Sequence, residues 1–173
     1  MTQQRPTWDE NWIPSWQEVW IEIALTIAKK SRCSRAQMGA VIVSSNQRIA
    51  ATGYNGPAAT FPNDDECINW CPRAQGTAPL DNFYDACPAI HAEANALLYV
   101  DRSHVEGGTI YITSPPCMQC AKLISNSGIA HVVCIIGKED EHRNPDTAIY
   151  YLRKCGLRVT VIDRQTGEKT TYL

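Results

Sequence analysis

Apolar residues recur at helical spacing near the start of the chain, at Trp16, Val19, Trp20, Ile23, Leu25, Ile27 and Ala28. With Ser15 placed to cap the first turn, the pattern predicts a helix running to about Lys30. Residues 1–14, with Pro6, Pro14, Trp8 and Trp12 among polar neighbours, read as an extended arm that docks by its tryptophans. Met38 to Val43 is a short β-branched run, Ser44 to Gln47 is turn-like, and Arg48 to Tyr54 returns as a second strand. From Asn55 to Pro88 the periodicity dissolves among prolines, glycines and aspartates. A loop of that length inside a domain is usually functional or braced.

Regular patterning resumes with a helix over about Ala89 to Val100 and a strand over Thr109 to Thr113. A helix over Met118 to Asn126 then closes at Gly128, and an apolar strand, Ile129 to Ile136, is interrupted only by His131. Pro145 opens a helix to about Cys155, Gly156 stops it, and Leu157 to Ile162 forms a last strand. A hairpin followed by alternating helices and strands predicts parallel neighbours covered on both faces. The expected fold is α/β: one three-layer α/β/α domain over residues 1–173 with a mixed five-stranded sheet.

Composition narrows the function. Hydrophobic residues make up 44% of the 173, enough for one ordinary core. The formal net charge is only −2, and no lysine–arginine stripe provides the footprint that polynucleotides require. A small-molecule substrate is therefore expected, with no nucleic acid polymer as partner. The most apolar run, Val19 to Ala28, is broken by Glu22 and too short for a bilayer, so no membrane partner is expected. With no export signal at Met1 to Glu10, the eight cysteines read as metal ligands and buried thiols of a cytoplasmic protein.

His91-Ala92-Glu93 and Pro116-Cys117-Met118-Gln119-Cys120 carry the candidate chemistry. One imidazole and two thiolates leave tetrahedral zinc a fourth, open position. Both halves fall at predicted helix starts, where partial positive charge favours thiolates. Glu93 is near enough to His91 to sit beside the open position without joining the metal. Zinc lowers the pKa of a bound water toward ~7 in such sites. Glu93 would take that water's proton and return protons to a ring nitrogen and a leaving amine, one carboxylate acting as base and then acid. Taken alone, Cys-x-x-Cys also fits a structural zinc half-site or a redox pair. The His-x-Glu partner and the strand between the two halves favour catalysis. His104, His131 and His142 have no comparable partners and read as surface or core residues.

The H-x-E…P-C-x-x-C arrangement is the signature of zinc-dependent nucleobase deaminases. From about residue 16 to 162 the chain resembles the deoxycytidylate (dCMP) deaminase branch of the cytidine deaminase-like superfamily. The resemblance rests on Cys33-Ser34-Arg35, Met38 to Val43, Thr52 to Gly56, Cys71-Pro72-Arg73, His91 to Ala96 and Ser114 to Lys122. The Gly-Tyr-Asn-Gly turn and the long cysteine-bearing insertion point to the dCMP branch. The resemblance implies a cytidine deaminase-like fold and hydrolysis of dCMP to dUMP and ammonia, feeding thymidylate synthesis. It places Asn55 against the nucleoside, although Asn-Gly is also a plain turn signal. It sets Ala92 and the backbone around Ser114 and Pro115 about the base. Arg35 would meet the 5′-phosphate or remain a solvated surface residue. Many members are homohexamers activated by dCTP and inhibited by dTTP.

Relatives with Cys-Pro-Arg in the insertion often hold a second, structural zinc. Its expected ligands here are Cys67, Cys71 and Cys87, with Glu66, Asp64 or another group fourth. Three ordinary thiols or a Cys67–Cys71 disulfide are the alternatives. Cys33, Cys134 and Cys155 read as packing residues. Two other functions stay open: deamination of another small substrate (dCTP, 5-substituted dCMP or a different base), and a non-catalytic zinc module, against which Glu93 argues.

Overall fold

The computed structural model describes residues 14–61, 71–77 and 87–173, without the side chains of Glu141 and His142. Most of the arm and much of the insertion, including Cys67, Glu66 and Asp64, lie outside the described residues. In chain order the elements are helix α1 (Trp16–Ala28), strands β1 (Gly39–Val43) and β2 (Ile49–Tyr54), helices α2 (Ala92–Leu98) and α3 (Arg102–Val105), and strand β3 (Thr109–Ile112). Then come helix α4 (Met118–Ser125), strand β4 (His131–Ile136), a 3₁₀ turn (Lys138–Arg143), helix α5 (Pro145–Lys154), and strands β5 (Arg158–Asp163) and β6 (Lys169–Tyr172).

The local chemistry explains most boundaries. Ser15 and Glu18 form a reciprocal capping box at the start of α1. The helix ends at Ala28, two residues before the expected end, and tight turn bonds satisfy Lys30 and Ser31. Helix α2 starts at Ala92 rather than Ala89, because Ile90 is extended and paired with Gly56. A residue held in a backbone bridge cannot also begin a helix.

The strands form one sheet in the order β2-β1-β3-β4-β5-β6. The central pairs β3–β4 and β4–β5 are parallel; β2–β1, β1–β3 and β5–β6 are antiparallel. The mixed α/β architecture matches expectation, but the sheet has six strands rather than five. The extra strand, Lys-Thr-Thr-Tyr, lacks an apolar face and is largely exposed. The Asp163–Gly167 turn folds it onto β5, with Asp163 Oδ1 accepting the N–H groups of Gln165 and Thr166. Edge strands of this polar kind leave little trace in hydrophobic patterning.

Alternate residues of each strand face opposite layers. Trp20, Ile21 and Ala24 of α1 pack on Val41, Val43, Tyr111, Val133 and Ile135. The other face, with Ile42, Ile110, Ile112, Val132 and Val159, lies under α2, α4 and α5. Gly53 lets α2 seat against the hairpin: a Cβ there would stand 2.2 Å from the Ala92 carbonyl oxygen and 2.5 Å from Ala96 N. No helix among the described residues is long and apolar enough to cross a membrane.

Candidate functional site

The site forms where β3 and β4 end, at the carboxyl edge of the parallel part of the sheet, where open α/β sheets generally bind ligands. After β3, Thr113 to Pro116 runs into Cys117, the residue that caps α4. After β4, Gly137 leads into the 3₁₀ turn. The third wall comes from the Gly56–Ile90 bridge, which delivers His91 as the capping position of α2.

These three supports bring His91, Cys117 and Cys120 together, their ligand atoms all within 4.8 Å of one another. His91 Nδ1 lies 3.5 Å from Cys117 Sγ and 3.4 Å from Cys120 Sγ. A tetrahedral zinc with ordinary Zn–S and Zn–N lengths would hold such a nitrogen and sulfur about 3.6 Å apart. The donor set therefore fits zinc in both chemistry and spacing. The backbone N–H of Cys120 also donates to Cys117 Sγ at 3.4 Å.

The electrostatics favour a thiolate. The hydrogen bond from Cys120, supported by His91, pulls the Cys117 thiol down to about 4 despite its burial. Cys120 moves the other way, pushed up by the same contact with Cys117 and by burial. Burial depresses the His91 imidazole, but its bond to Cys117 and the nearby Glu93 charge outweigh this, and the net direction is up. Glu93, in the first turn of α2 and only 8% exposed, is raised above the usual carboxylate range by burial, which the His91 charge partly offsets.

A cavity of ≈ 810 Å³ opens beside this cluster, and Asn55, Ala92, Ser114, Pro115 and Arg35 all line it. Asn55 is largely engaged in structure: Oδ1 accepts from Met38 N at 2.7 Å, and Nδ2 donates to the Ala36 carbonyl at 2.9 Å. Arg35 donates to the Arg73 carbonyl at 2.6 Å, tying the segment before β1 to the insertion. Cys71 and Cys87 are free thiols on the same cavity wall. Burial pushes the Cys87 thiol up, and Cys71, by hydrogen bond and by charge, and Cys33, by charge, push it the same way. Cys33 lines the same cavity. Among the described residues only His91, Cys117 and Cys120 meet the 4.8 Å spacing, so the second group is looser.

Asp140, Arg143 and Arg164 also line the cavity, and none was a candidate from the sequence. Lys-Glu-Asp-Glu-His-Arg over 138–143 reads as a solvated charge run. Asp140 is nonetheless 1% exposed, which no periodicity in so short a turn announces. Arg164 sits at the β5–β6 turn that the missed strand creates; it pairs with Glu139 at 2.8 Å and donates to the Thr113 carbonyl at 2.9 Å. Of the other histidines, His104 is exposed and His131 lies at the start of β4, away from the strand ends that build the site.

Known proteins are similar to this chain in sequence and fold. The sequence profile of the cytidine and deoxycytidylate deaminase zinc-binding region matches residues 14–136. The chain is 42% identical over 133 residues to the deoxycytidylate deaminase of Mycobacterium phage D29, covering 75% of this chain and 94% of that protein. It is 38% identical over 130 residues to the deoxycytidylate deaminase of Schizosaccharomyces pombe, covering 75% of this chain and 37% of that protein. The dCMP deaminase from the cyanophage S-TIM5, solved in complex with dCMP and dUMP, superposes with a TM-score of 0.66 at 25% identity, over 87% of this chain and 99% of that one. The profile runs from the first helix to the end of β4 and takes in His91, Glu93 and both cysteines of the cluster. On that match, the chain belongs to the cytidine and deoxycytidylate deaminase family.

Proposed function

We propose that this protein hydrolyses dCMP to dUMP and ammonia, supplying dUMP for thymidylate synthesis. The observation that carries the reading is the convergence of His91, Cys117 and Cys120 beside a buried carboxyl, Glu93, on the wall of one cavity. The deoxycytidylate deaminases among its relatives favour dCMP as the substrate.

His91, Cys117 and Cys120 would hold the catalytic zinc. When bound there, zinc supplies Lewis acidity that makes a water nucleophilic near neutral pH. Glu93 takes the proton that the attacking water gives up as its oxygen bonds to the ring carbon bearing the amine. It passes that proton to the adjacent ring nitrogen. It then moves the proton of the new hydroxyl to the amine, the C–N bond breaks, and ammonia leaves a carbonyl behind. A carboxyl held above its usual range by burial suits both directions of transfer. Asn55 and the backbone at Ala92, Ser114 and Pro115 frame the base, and Arg35 serves the phosphate end.

Cys67, Cys71 and Cys87, the ligands expected from the sequence, together with Cys33, which lines the same cavity as Cys71 and Cys87, would hold a second, structural zinc that braces the insertion against the segment before β1. None of the seven cysteines among the described residues is in a disulfide, in keeping with a reducing cytoplasm.

The test is ammonia release from dCMP, 5-methyl-dCMP, dCTP, deoxycytidine and adenosine, with and without added dCTP as effector. Preferred turnover of dCMP is expected. Turnover of another member with dCMP ignored would keep the chemistry and overturn the substrate. Zinc content without any turnover would point to a non-catalytic module.

A further inference from the structure

Asp140 is a carboxylate with almost no exposure, and a buried charge is retained only when well partnered. Its Oδ1 accepts from Ser114 Oγ at 2.6 Å, and its Oδ2 accepts from Gly137 N at 3.0 Å. Arg143 lies 3.5 Å from Oδ1 and donates to Ser114 Oγ at 3.0 Å. Ser114 is three residues before Cys117, in the loop that joins β3 to the helix capped by that sulfur. The residue before it is pinned as well. Thr113 N donates to the Gly39 carbonyl, Gly39 N donates to Thr113 Oγ1, and Arg164 holds the Thr113 carbonyl. Thr113 is therefore fixed by the sheet, whereas Ser114 is fixed by one buried acid and its arginine partner.

We propose that Asp140 is a positioning residue for the deamination: through its hydrogen bond to Ser114 it locks the Thr113–Pro116 loop, and so sets both Cys117 and the part of the cavity wall that this loop forms. The bond links the loops that follow two parallel strands, which the backbone leaves unconnected at this point. Neither Asp140 nor the Ser114 hydroxyl takes a proton in the reaction. Loss of the bond lets the loop drift, and small misplacements beside reacting groups cost up to about 100-fold in rate. The kinetic part of the inference rests on the deaminase reading; the part concerning Cys117 does not.

The bond can be broken from either end, by Asp140→Asn or by Ser114→Ala, and the double variant completes a cycle. Two quantities are read in zinc-loaded protein well below its melting temperature: kcat and KM for dCMP, and the rate at which a chelator extracts zinc. Each single variant is expected to lower kcat/KM by about 10- to 100-fold, mostly in kcat, and to release zinc several-fold faster. The double variant should be no worse than the poorer single one. A Ser114→Ala protein with wild-type kcat/KM and zinc release overturns the proposal, as do additive effects in the cycle. If Asp140→Asn does not fold, Ser114→Ala alone decides, since it leaves Asp140 its Gly137 and Arg143 partners. Absence of turnover in the wild type would strike the deaminase reading instead, with zinc release still deciding the latch.

Discussion

Gly56 and Ile90 exchange both backbone hydrogen bonds, at 3.1 Å and 2.8 Å, across the base of the long insertion. His91 follows Ile90 directly, so this bridge closes the loop and aims the imidazole at the cysteines. On the far side, Asn95 Nδ2 donates to the Tyr54 carbonyl at 2.7 Å, fastening the first turns of α2 to the end of β2. The group of His91, Cys117 and Cys120 thus rests on this bridge and on the capped start of α4 after β3.

Glu93 is placed beside that cluster but outside it, and its removal should separate binding from chemistry. Glu93→Gln keeps shape and burial while removing the proton carrier. Zinc content should stay at the wild-type level, and kcat should fall by roughly 10²- to 10⁴-fold. Metal analysis alongside steady-state kinetics checks both halves; a variant with undiminished turnover would take Glu93 out of the mechanism.

Loss of a ligand should act on the metal first. His91→Ala and Cys117→Ala each leave two of the three donors, so neither protein should retain zinc at the catalytic site after dialysis. Cys117→Ala also removes the sulfur that caps Cys120 N–H. Its melting temperature should therefore fall further than that of the wild type stripped of zinc. Full zinc occupancy in either variant would refute the ligand assignment.

The second sulfur group gives a separate count. Cys71→Ser and Cys33→Ser should each lose one zinc per chain while keeping the catalytic metal, and both should melt at a lower temperature. The involvement of Cys33 is the sharper half, because it lies 38 positions before Cys71. Equal zinc content in wild type and both variants would mean the three thiols are not a metal site.

How legible was this in the chain? The periodic elements were: α1, the β1–β2 hairpin and the core strands β3 to β5 follow from apolar spacing, and boundary errors came mainly from contacts distant in sequence. Helix α2 begins late because Gly56, 34 positions before Ile90, claims that residue's backbone. The grouping of His91, Cys117 and Cys120 was readable because zinc chemistry restricts residue types and their spacing to few combinations. Asp140 was not, since its burial depends on where a six-residue turn lands after the sheet is assembled. Strand β6 was hidden because an exposed edge strand needs no apolar face. That Cys33 shares a cavity with Cys71 and Cys87 was not legible either, because these residues lie far apart in the chain.

Gly53 shows how tightly helix α2 is seated. Gly53→Ala would force its new methyl against the Ala92 carbonyl and Ala96 N, backbone atoms that cannot swing aside. Overpacking of this kind costs about 2–3 kcal/mol, to be read as a lower urea midpoint. Because α2 carries Glu93 and is preceded by His91, kcat should fall as well. Unaltered stability would show that α2 can lift away from the hairpin freely.

His131 offers a pH dependence independent of the metal. Its Nε2 lies 2.9 Å from Thr160 Oγ1. Burial, helped by the Arg158 charge across β5, lowers its pKa to about 4. Above the ordinary histidine value the ring is neutral in folded and unfolded chains alike, and contributes no slope. As pH falls from 6.5 toward 4, the unfolded chain binds a proton that the folded chain refuses, so stability declines across that window and levels off below it. Discounted for the partial exposure of the ring, the loss is on the order of 1–2 kcal/mol. His131→Asn cannot titrate, so urea unfolding of this variant should show a shallower decline over the same window than the wild type. Parallel curves for the two proteins would mean that the ring protonates within the folded sheet at little cost.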